Sequence, residues 1–205
     1  MDKIQHILYI NLDERTDRKR NVEKELLSVG FSSENINRFP ACKLVNGAVG
    51  CSMSHLKCLK MAKECGWDSV VIVEDDIQFL NPELFRNQFL NFFKKENREF
   101  DVVLLAGNNV PPYEKVEGDD TCIKVGSCQT TTGYMVKKHY YDTLIENIRE
   151  GIGKLLKNPE NHREYAIDKY WFSLQKRDNW YLIVPLSVTQ RPNYSNVENK
   201  ETDYS

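Results

Sequence analysis

Residues 69–76 read SVVIVEDD: Ser69, four consecutive apolar residues, and then Glu74, Asp75 and Asp76. A run without polar alternation cannot turn one face to water, so it predicts a strand covered on both faces, as in a parallel sheet flanked by helices. The carboxylates then stand at its C-terminal end, where an open α/β sheet forms its ligand crevice. Adjacent carboxylates repel one another unless a cation or strong donors neutralise them. Positions 74 and 76 share a face of the strand, so Glu74 and Asp76 are the expected ligands of one metal ion. Asp75 turns away or accepts a hydrogen bond, and a diphosphate would complete the octahedron.

Outward from this strand, period and punctuation supply the other elements. IQHILYINL predicts a strand, and DRKRNVEKELLSVG a helix with Val22, Leu26 and Val29 inward and Gly30 as its end. SMSHLKCLKMAKECG predicts a helix capped by Ser52 or Ser54 and stopped at Gly66, with Cys51, His55, Cys58, Leu59, Ala62 and Cys65 on one side. Asn81-Pro82-Glu83 opens another helix through LFRNQFLNFFKK, and FDVVLLAG is a second buried strand. NNVPPYEKVEGDD, residues 108–120, is too polar and proline-rich for regular structure and is expected to border an acceptor site. CIKV and TTTGYMV read as strands, HYYDTLIENIREG and NHREYAIDKYWFSLQKR as helices, and WYLIVP as a last strand. The alternation predicts a three-layer α/β/α sandwich around a mainly parallel sheet, with late strands adding an antiparallel edge.

The 205 residues suit one domain spanning 1–205. The polar stretch from about 190, ending NYSNVENKETDYS, needs a partner surface or ligand to order. Twenty-eight basic against thirty acidic residues leave a formal charge of −2, so no long-range field favours nucleic acid or an anionic membrane. No apolar stretch approaches the roughly 20 residues that span a bilayer, and the N-terminus does not read as a signal peptide. The expected location is cytoplasmic. There is no CxxC pair among the six cysteines; Cys122 and Cys128 are close enough for a local bridge, but reduced thiols are expected in a leaderless chain.

Other residues are candidates for the same sheet edge. Asn11, Arg15 and Arg18 follow the first strand, and the planar fork of arginine suits phosphate. A charge-paired helix start with Asp13, Glu14 and Asp17 is the alternative. Gly50, Ser54 and His55 precede or begin a helix whose free N–H groups could hold a phosphate; a capping serine and a hydrogen-bonded core histidine would look the same. Asp168 lies beside a core face made by Ile167, Tyr170, Trp171 and Leu174, with Glu164 one turn earlier. An exposed helix acid is the alternative there.

Three blocks, ILYINLDERTDRKRN, GAVGCSMSHLKCLKMA and VVIVEDDIQF, occur in one order and resemble family 25 glycosyltransferases. That family includes lipopolysaccharide sugar transferases and collagen hydroxylysine galactosyltransferases, and its pattern runs INLDRR-DR, G--GC--SH, EDD. The resemblance covers residues 4–80 well and the remainder loosely, through GYMVKKHYYDTLIENI and VPLSVTQRPNYSNVE. Ser195-Asn196-Val197 stands where relatives often have Ser-Asp-Ile.

The resemblance implies a GT-A fold and a UDP-sugar donor, with galactose or glucose as the hexose. It implies manganese, with magnesium as the alternative, held by the EDD block as a form of the DXD motif. The acceptor would be a hydroxyl on a glycan, lipopolysaccharide, lipid-linked sugar or protein, attacked with inversion. Asp168 would be the general base, and Asn11, Arg15, Arg18, Gly50, Ser54, His55 and Asp75 would serve the donor; the polar segment from about 190, by its composition, is expected to order on donor binding. Two other readings stay open. One is an inactive relative that still binds nucleotide-sugar. The other is a receiver-like interaction module, since VVIVEDD also matches the opening of receiver domains. Against the latter, Ala106 stands where the phosphoacceptor aspartate belongs, and residues 1–69 precede the acidic pair with their own strand and helices.

Overall fold

The computed structural model describes residues 1, 4–95, 98–195 and 200–202. Its elements are β1 (Ile7–Asn11), α1 (Thr16–Ser28), β2 (Ile36–Pro40), α2 (Gly47–Glu64), β3 (Ser69–Glu74), β4 (Ile77–Phe79) and α3 (Pro82–Lys94). There follow β5 (Val102–Leu104), β6 (Asn108–Asn109), β7 (Tyr113–Val116), β8 (Asp119–Val125), β9 (Cys128–Gln129), β10 (Gly133–Lys137) and α4 (Tyr141–Lys157). The last are α5 (His162–Tyr165), α6 (Ile167–Tyr170), α7 (Phe172–Arg177), β11 (Trp180–Ile183), β12 (Val188–Gln190), β13 (Asn193–Ser195) and β14 (Lys200–Thr202).

The central sheet has eight strands in the order β2-β1-β3-β10-β5-β11-β8-β7. From the pairings, β2, β1, β3, β5, β11 and β7 run one way, and β10 and β8 run the other. The unbroken apolar run of β3 is explained by its neighbours. Val70 and Ile72 pack under α2 and α4, while Val71 and Val73 pack against the side carrying α1 and α3. Leu8 and Ile10 alternate with Ile7 and Tyr9 in the same way. This is the expected three-layer α/β/α arrangement, in which both sheet faces are dry and each strand contributes to two cores.

Four local expectations are corrected. The antiparallel strand β10 lies in the middle of the sheet, between β3 and β5, and not only at an edge. Residues 108–120 are not irregular: β7 and β8 form a hairpin with Gly118 at φ +66° in its turn, and Glu114 faces Lys124 across the ladder. Helix α2 begins at Gly47, capped by the Asn46 side chain accepting from the Val49 N–H at 3.2 Å. Ser52 and Ser54 are therefore not caps but sit inside the helix, bonding back to the carbonyls of Ala48 and Gly50. The stretch 161–177 is three short helices, because Ala166 adopts an extended ψ of 148° between α5 and α6. Of the polar C-terminal segment, residues 196–199, which include Asn196 and Val197, and residues 203–205 lie outside the described residues.

Candidate active site

At the C-terminal ends of β1 and β3 the chain leaves a cleft of about 1150 Å³. Arg15, Arg18, Gly50, Ser54, His55, Glu74, Asp75, Asp76 and Asp168 all line it, although they come from four separate stretches of sequence. Asn11 lies beneath, 2% exposed, and reaches the cleft through Asp75.

The three acids of the EDD block meet three different environments. Asp75 is framed: the Asn11 amide donates to one of its oxygens at 2.7 Å and Arg18 to the other at 3.0 Å. Asn11 is itself held by Arg38, whose Nε donates to Asn11 Oδ1 at 2.9 Å. Burial still outweighs these donors and raises the Asp75 carboxyl above its ordinary value.

Glu74 is surrounded by donors. Its Oε1 accepts from Thr131 Oγ1 at 2.7 Å and lies 3.3 Å from His55 Nε2 and 3.5 Å from Cys51 Sγ. Its Oε2 accepts from Gln190 at 3.1 Å. Burial alone would raise this carboxyl, but the contacts with His55, Thr131 and Cys51 prevail and hold it below its ordinary value.

Asp76 is the acid left short of donors. Arg18 Nη1 is 3.6 Å from Oδ2, and Gln190 lies alongside, but Oδ1 is buried with no hydrogen-bond partner among the described residues. Burial, and then the neighbouring Glu74 charge, push this carboxyl up to about 7. An ionised acid with an open buried oxygen suits a hard cation, whose charge would do what no protein donor does. Glu74 Oε2 shares Gln190 with Asp76, which places the two carboxylates side by side.

Asp168 enters the cleft from α6. The break at Ala166 turns it inward, whereas Glu164, one turn earlier in the sequence, is exposed and does not line the cleft. Burial raises the Asp168 carboxyl, offset only in part by Lys169 and by the Thr130 N–H, which donates at 3.3 Å. Thr130 has φ +83°, a conformation costly for a β-branched residue. That turn presents its N–H to Asp168 while Thr131 reaches Glu74, and the Thr130 and Thr132 hydroxyls bond at 2.7 Å.

The remaining candidates divide by what they touch. Arg15 lines the cleft but pairs with Asp17 at 2.9 Å, the charge-paired arrangement that the sequence left open. Gly50 lies in the first turn of α2, its N–H already bonded to the Asn46 carbonyl at 3.0 Å. A Cβ there would meet the Cys42 carbonyl oxygen at 2.5 Å, so glycine is required for the loop over residues 41–45 to close on the helix. Ser54 accepts from the Cys42 N–H at 2.8 Å and pins the same loop. His55 is fully buried between Tyr134, at 2.9 Å, and Glu74. The free N–H groups expected around Gly50 and Ser54 therefore belong to the turn at Gly47 and Ala48, both of which line the cleft.

Sequence reading missed Thr130, Thr131 and Gln190. The triple threonine ahead of Gly133 was a usable signal, since a polar run at a strand entrance faces the sheet edge; Gln190 carries no local mark. The Glu114, Glu117, Asp119 and Asp120 group of residues 108–120 does not reach the cleft, where Asn108 is the part of that stretch present.

Comparison with solved structures places the architecture. The structure titled UDP-glucose pyrophosphorylase complexed with UDP-glucose matches with a TM-score of 0.52 at 10% identity, covering 88% of this chain and 90% of that one. A197 from STIV matches with a TM-score of 0.50 at 15% identity, covering 97% and 95%. At such identity the likeness shows the fold, which is of the GT-A type. A curated relative from Anopheles gambiae, "Glycosyltransferase 25 family member", is 22% identical over 212 residues, covering 86% of this chain and 33% of its own length. The chain thus spans a third of that relative. The profile described as "Glycosyltransferase family 25 (LPS biosynthesis protein)" matches residues 33–171, a span holding the GAVGC block, the EDD block, the threonine turn and Asp168. With more than half its length so matched, and its three-layer core built around those blocks, the chain belongs to glycosyltransferase family 25.

Proposed function

We propose that this chain transfers a hexose, galactose or glucose first, from a UDP-sugar to a hydroxyl of a glycan, lipopolysaccharide, lipid-linked or protein acceptor, with inversion and with help from a divalent cation. The observation that carries the reading is the pairing, in one cleft, of Asp76, a half-buried acid with a buried oxygen short of donors, and Asp168, a separate half-buried acid on another element.

Asp76 and the Oε2 side of Glu74 would hold the cation, manganese first and magnesium second, since oxygen ligands suit both. Bound there, it supplies Lewis-acid stabilisation of the charge that grows on a departing diphosphate. Arg18 stands between Asp75 and Asp76 and is placed to turn its fork to phosphate oxygens, with Arg15 at the rim. Asp75, framed by Asn11 and Arg18, keeps that arginine in position. Gly50 and Ser54 serve the donor indirectly, by closing the 41–45 loop over the cleft.

Asp168 is the group proposed to take the proton of the acceptor hydroxyl. Its raised pKa makes the ionised form a better base than an exposed carboxylate, and the Thr130 N–H holds the orientation of one of its oxygens.

The test is a screen of UDP-, GDP- and CMP-sugars for manganese-dependent hydrolysis, followed by transfer to candidate acceptors. UDP-hexose hydrolysis that needs manganese is the expected result. Tight donor binding without hydrolysis or transfer would favour the inactive, nucleotide-sugar-binding reading, and no binding of any nucleotide-sugar would defeat both.

A further inference from the structure

We propose that Cys51, His55 and Glu74 form a binding site for a thiophilic divalent cation, Zn2+ first, on the inner wall of the same cleft. The three ligand atoms lie within 4.8 Å of one another. Sγ of Cys51 is 3.5 Å from Glu74 Oε1, and Nε2 of His55 is 3.3 Å from it. Tetrahedral coordination with about 2.3 Å to sulfur and about 2.0 Å to nitrogen and oxygen requires S–O and N–O separations of about 3.5 and about 3.3 Å. Both separations from Glu74 Oε1 already match, and the remaining pair, Cys51 Sγ and the His55 nitrogen, lies within 4.8 Å, so a cation would draw that pair to about 3.5 Å.

The supports around the three ligands are those that a metal site needs. Cys51 and His55 are one turn apart on α2, a rigid helix of 18 residues, and Glu74 ends the buried strand β3. The second ring nitrogen of His55 shares a 2.9 Å hydrogen bond with the hydroxyl of Tyr134, itself fully buried, which fixes the imidazole plane. Thr131 and Gln190 hold the carboxylate from two further directions. All three ligands line the cleft, so a fourth position faces water or a ligand.

Thiolate and imidazole select Zn2+ or Co2+ over Mn2+ and Mg2+, whereas Asp76 and Glu74 Oε2 offer oxygen alone. The two oxygens of Glu74 thus face two kinds of cation. Binding releases the Cys51 thiol proton to solvent, and the cation then balances the thiolate and the carboxylate. The site is read by metal binding alone and does not depend on the transferase reading, so failure of one leaves the other standing.

The experiment uses the untagged full chain, reduced and stripped of metal, titrated with Co2+. The expected spectrum has the visible bands of tetrahedral cobalt and a sulfur-to-cobalt charge-transfer band, both lost on adding Zn2+ and both absent in Cys51→Ser. A weak octahedral spectrum, or a charge-transfer band that persists in Cys51→Ser, overturns the proposal. X-ray absorption on the zinc-loaded wild-type chain needs no variant to fold: one sulfur at about 2.3 Å with nitrogen and oxygen neighbours is expected, and zero or two sulfurs overturns the proposal.

Discussion

Two acidic regions of this molecule have similar composition and opposite electrostatics. At the end of β3, Asp76 has one buried oxygen without a partner, and its carboxyl is pushed up to about 7. At the far edge of the sheet, Asp119 is bonded by Arg98, by the Thr121 N–H at 2.8 Å and by the Thr121 hydroxyl at 2.6 Å. Burial works against that carboxyl too, but Thr121 and Arg98 overcome it and hold it at about 2. Both acids are largely shielded from water, with side-chain exposures of 19% for Asp76 and 4% for Asp119. What separates them is the supply of donors. An acid whose donors are complete belongs to the framework, while one whose donors are missing is kept for something the chain does not itself contain.

The sharpest way to test that contrast is to remove acids on each side and ask what fails. Asp168→Asn, on the cleft side, should lower sugar transfer by about 10²- to 10⁴-fold, the usual worth of a placed proton acceptor, with donor affinity nearly unchanged. Steady-state transfer to a verified acceptor checks this, and Glu164→Gln, exposed and outside the cleft, should transfer at the wild-type rate. Were the two variants to behave the other way round, the base would lie on α5.

On the framework side, Asp119→Ala strands the Arg98 guanidinium, whose side chain is 9% exposed. The expected loss of folding stability is about 3–5 kcal/mol, measured by urea denaturation. Donor affinity of the protein that remains folded should not change. A variant that folds as well as wild type but binds donor poorly would erase the distinction between the two regions.

The third effect is one of sign. Asp76 has a folded pKa above the ordinary carboxylate value of about 4, so the folded state holds the extra proton between that value and about 7. In chelator, this group therefore costs stability progressively as pH rises through that window. Asp119, depressed to about 2, contributes stability above about 4 that is lost as pH falls toward 2. Asp76→Asn should flatten the falling limb of the stability profile and also abolish any gain in UDP-sugar affinity from manganese. Asp75 and Asp168, also raised, keep their own share of that limb, so a limb unchanged in slope in Asp76→Asn would remove Asp76 from it.

The smallest expected effect is that of Arg18→Lys. It keeps the charge beside Asp75 and Asp76 but loses the fork, and donor affinity by calorimetry should fall by about 1.5–3 kcal/mol. An unchanged affinity would make Arg18 a partner of the acids alone.

Much of the fold was legible because it depends on short-range pattern. The apolar run of residues 70–73, the Asn81-Pro82 helix start and the Gly30 stop, at φ +89°, each act within a few residues. Misreadings arose where a local signal had a non-local competitor. The serines at 52 and 54 look like caps until Asn46 is seen to cap six and eight residues before them, and EYAIDKYW looks continuous until Ala166 is seen to be extended, with Trp171 beyond it fully buried and its indole N–H on the Cys128 carbonyl at 3.1 Å. In the 108–120 stretch, the Glu117-Gly118 turn was readable, but the prolines before it outweighed it.

The sequence by itself determined which strand ends in acids and which faces of the helices are apolar, since strand period and helix period are local properties. Tertiary structure alone decided the chemical state of each acid. Glu74 receives Thr131 from 57 residues away and Gln190 from 116, Asp75 receives Asn11 from 64, and Asp119 receives Arg98 from 21. A carboxyl's charge reflects the dipoles and charges within a few ångströms of it and the water removed from around it. Those neighbours are chosen by the order of strands in the sheet, and no window along the chain contains them.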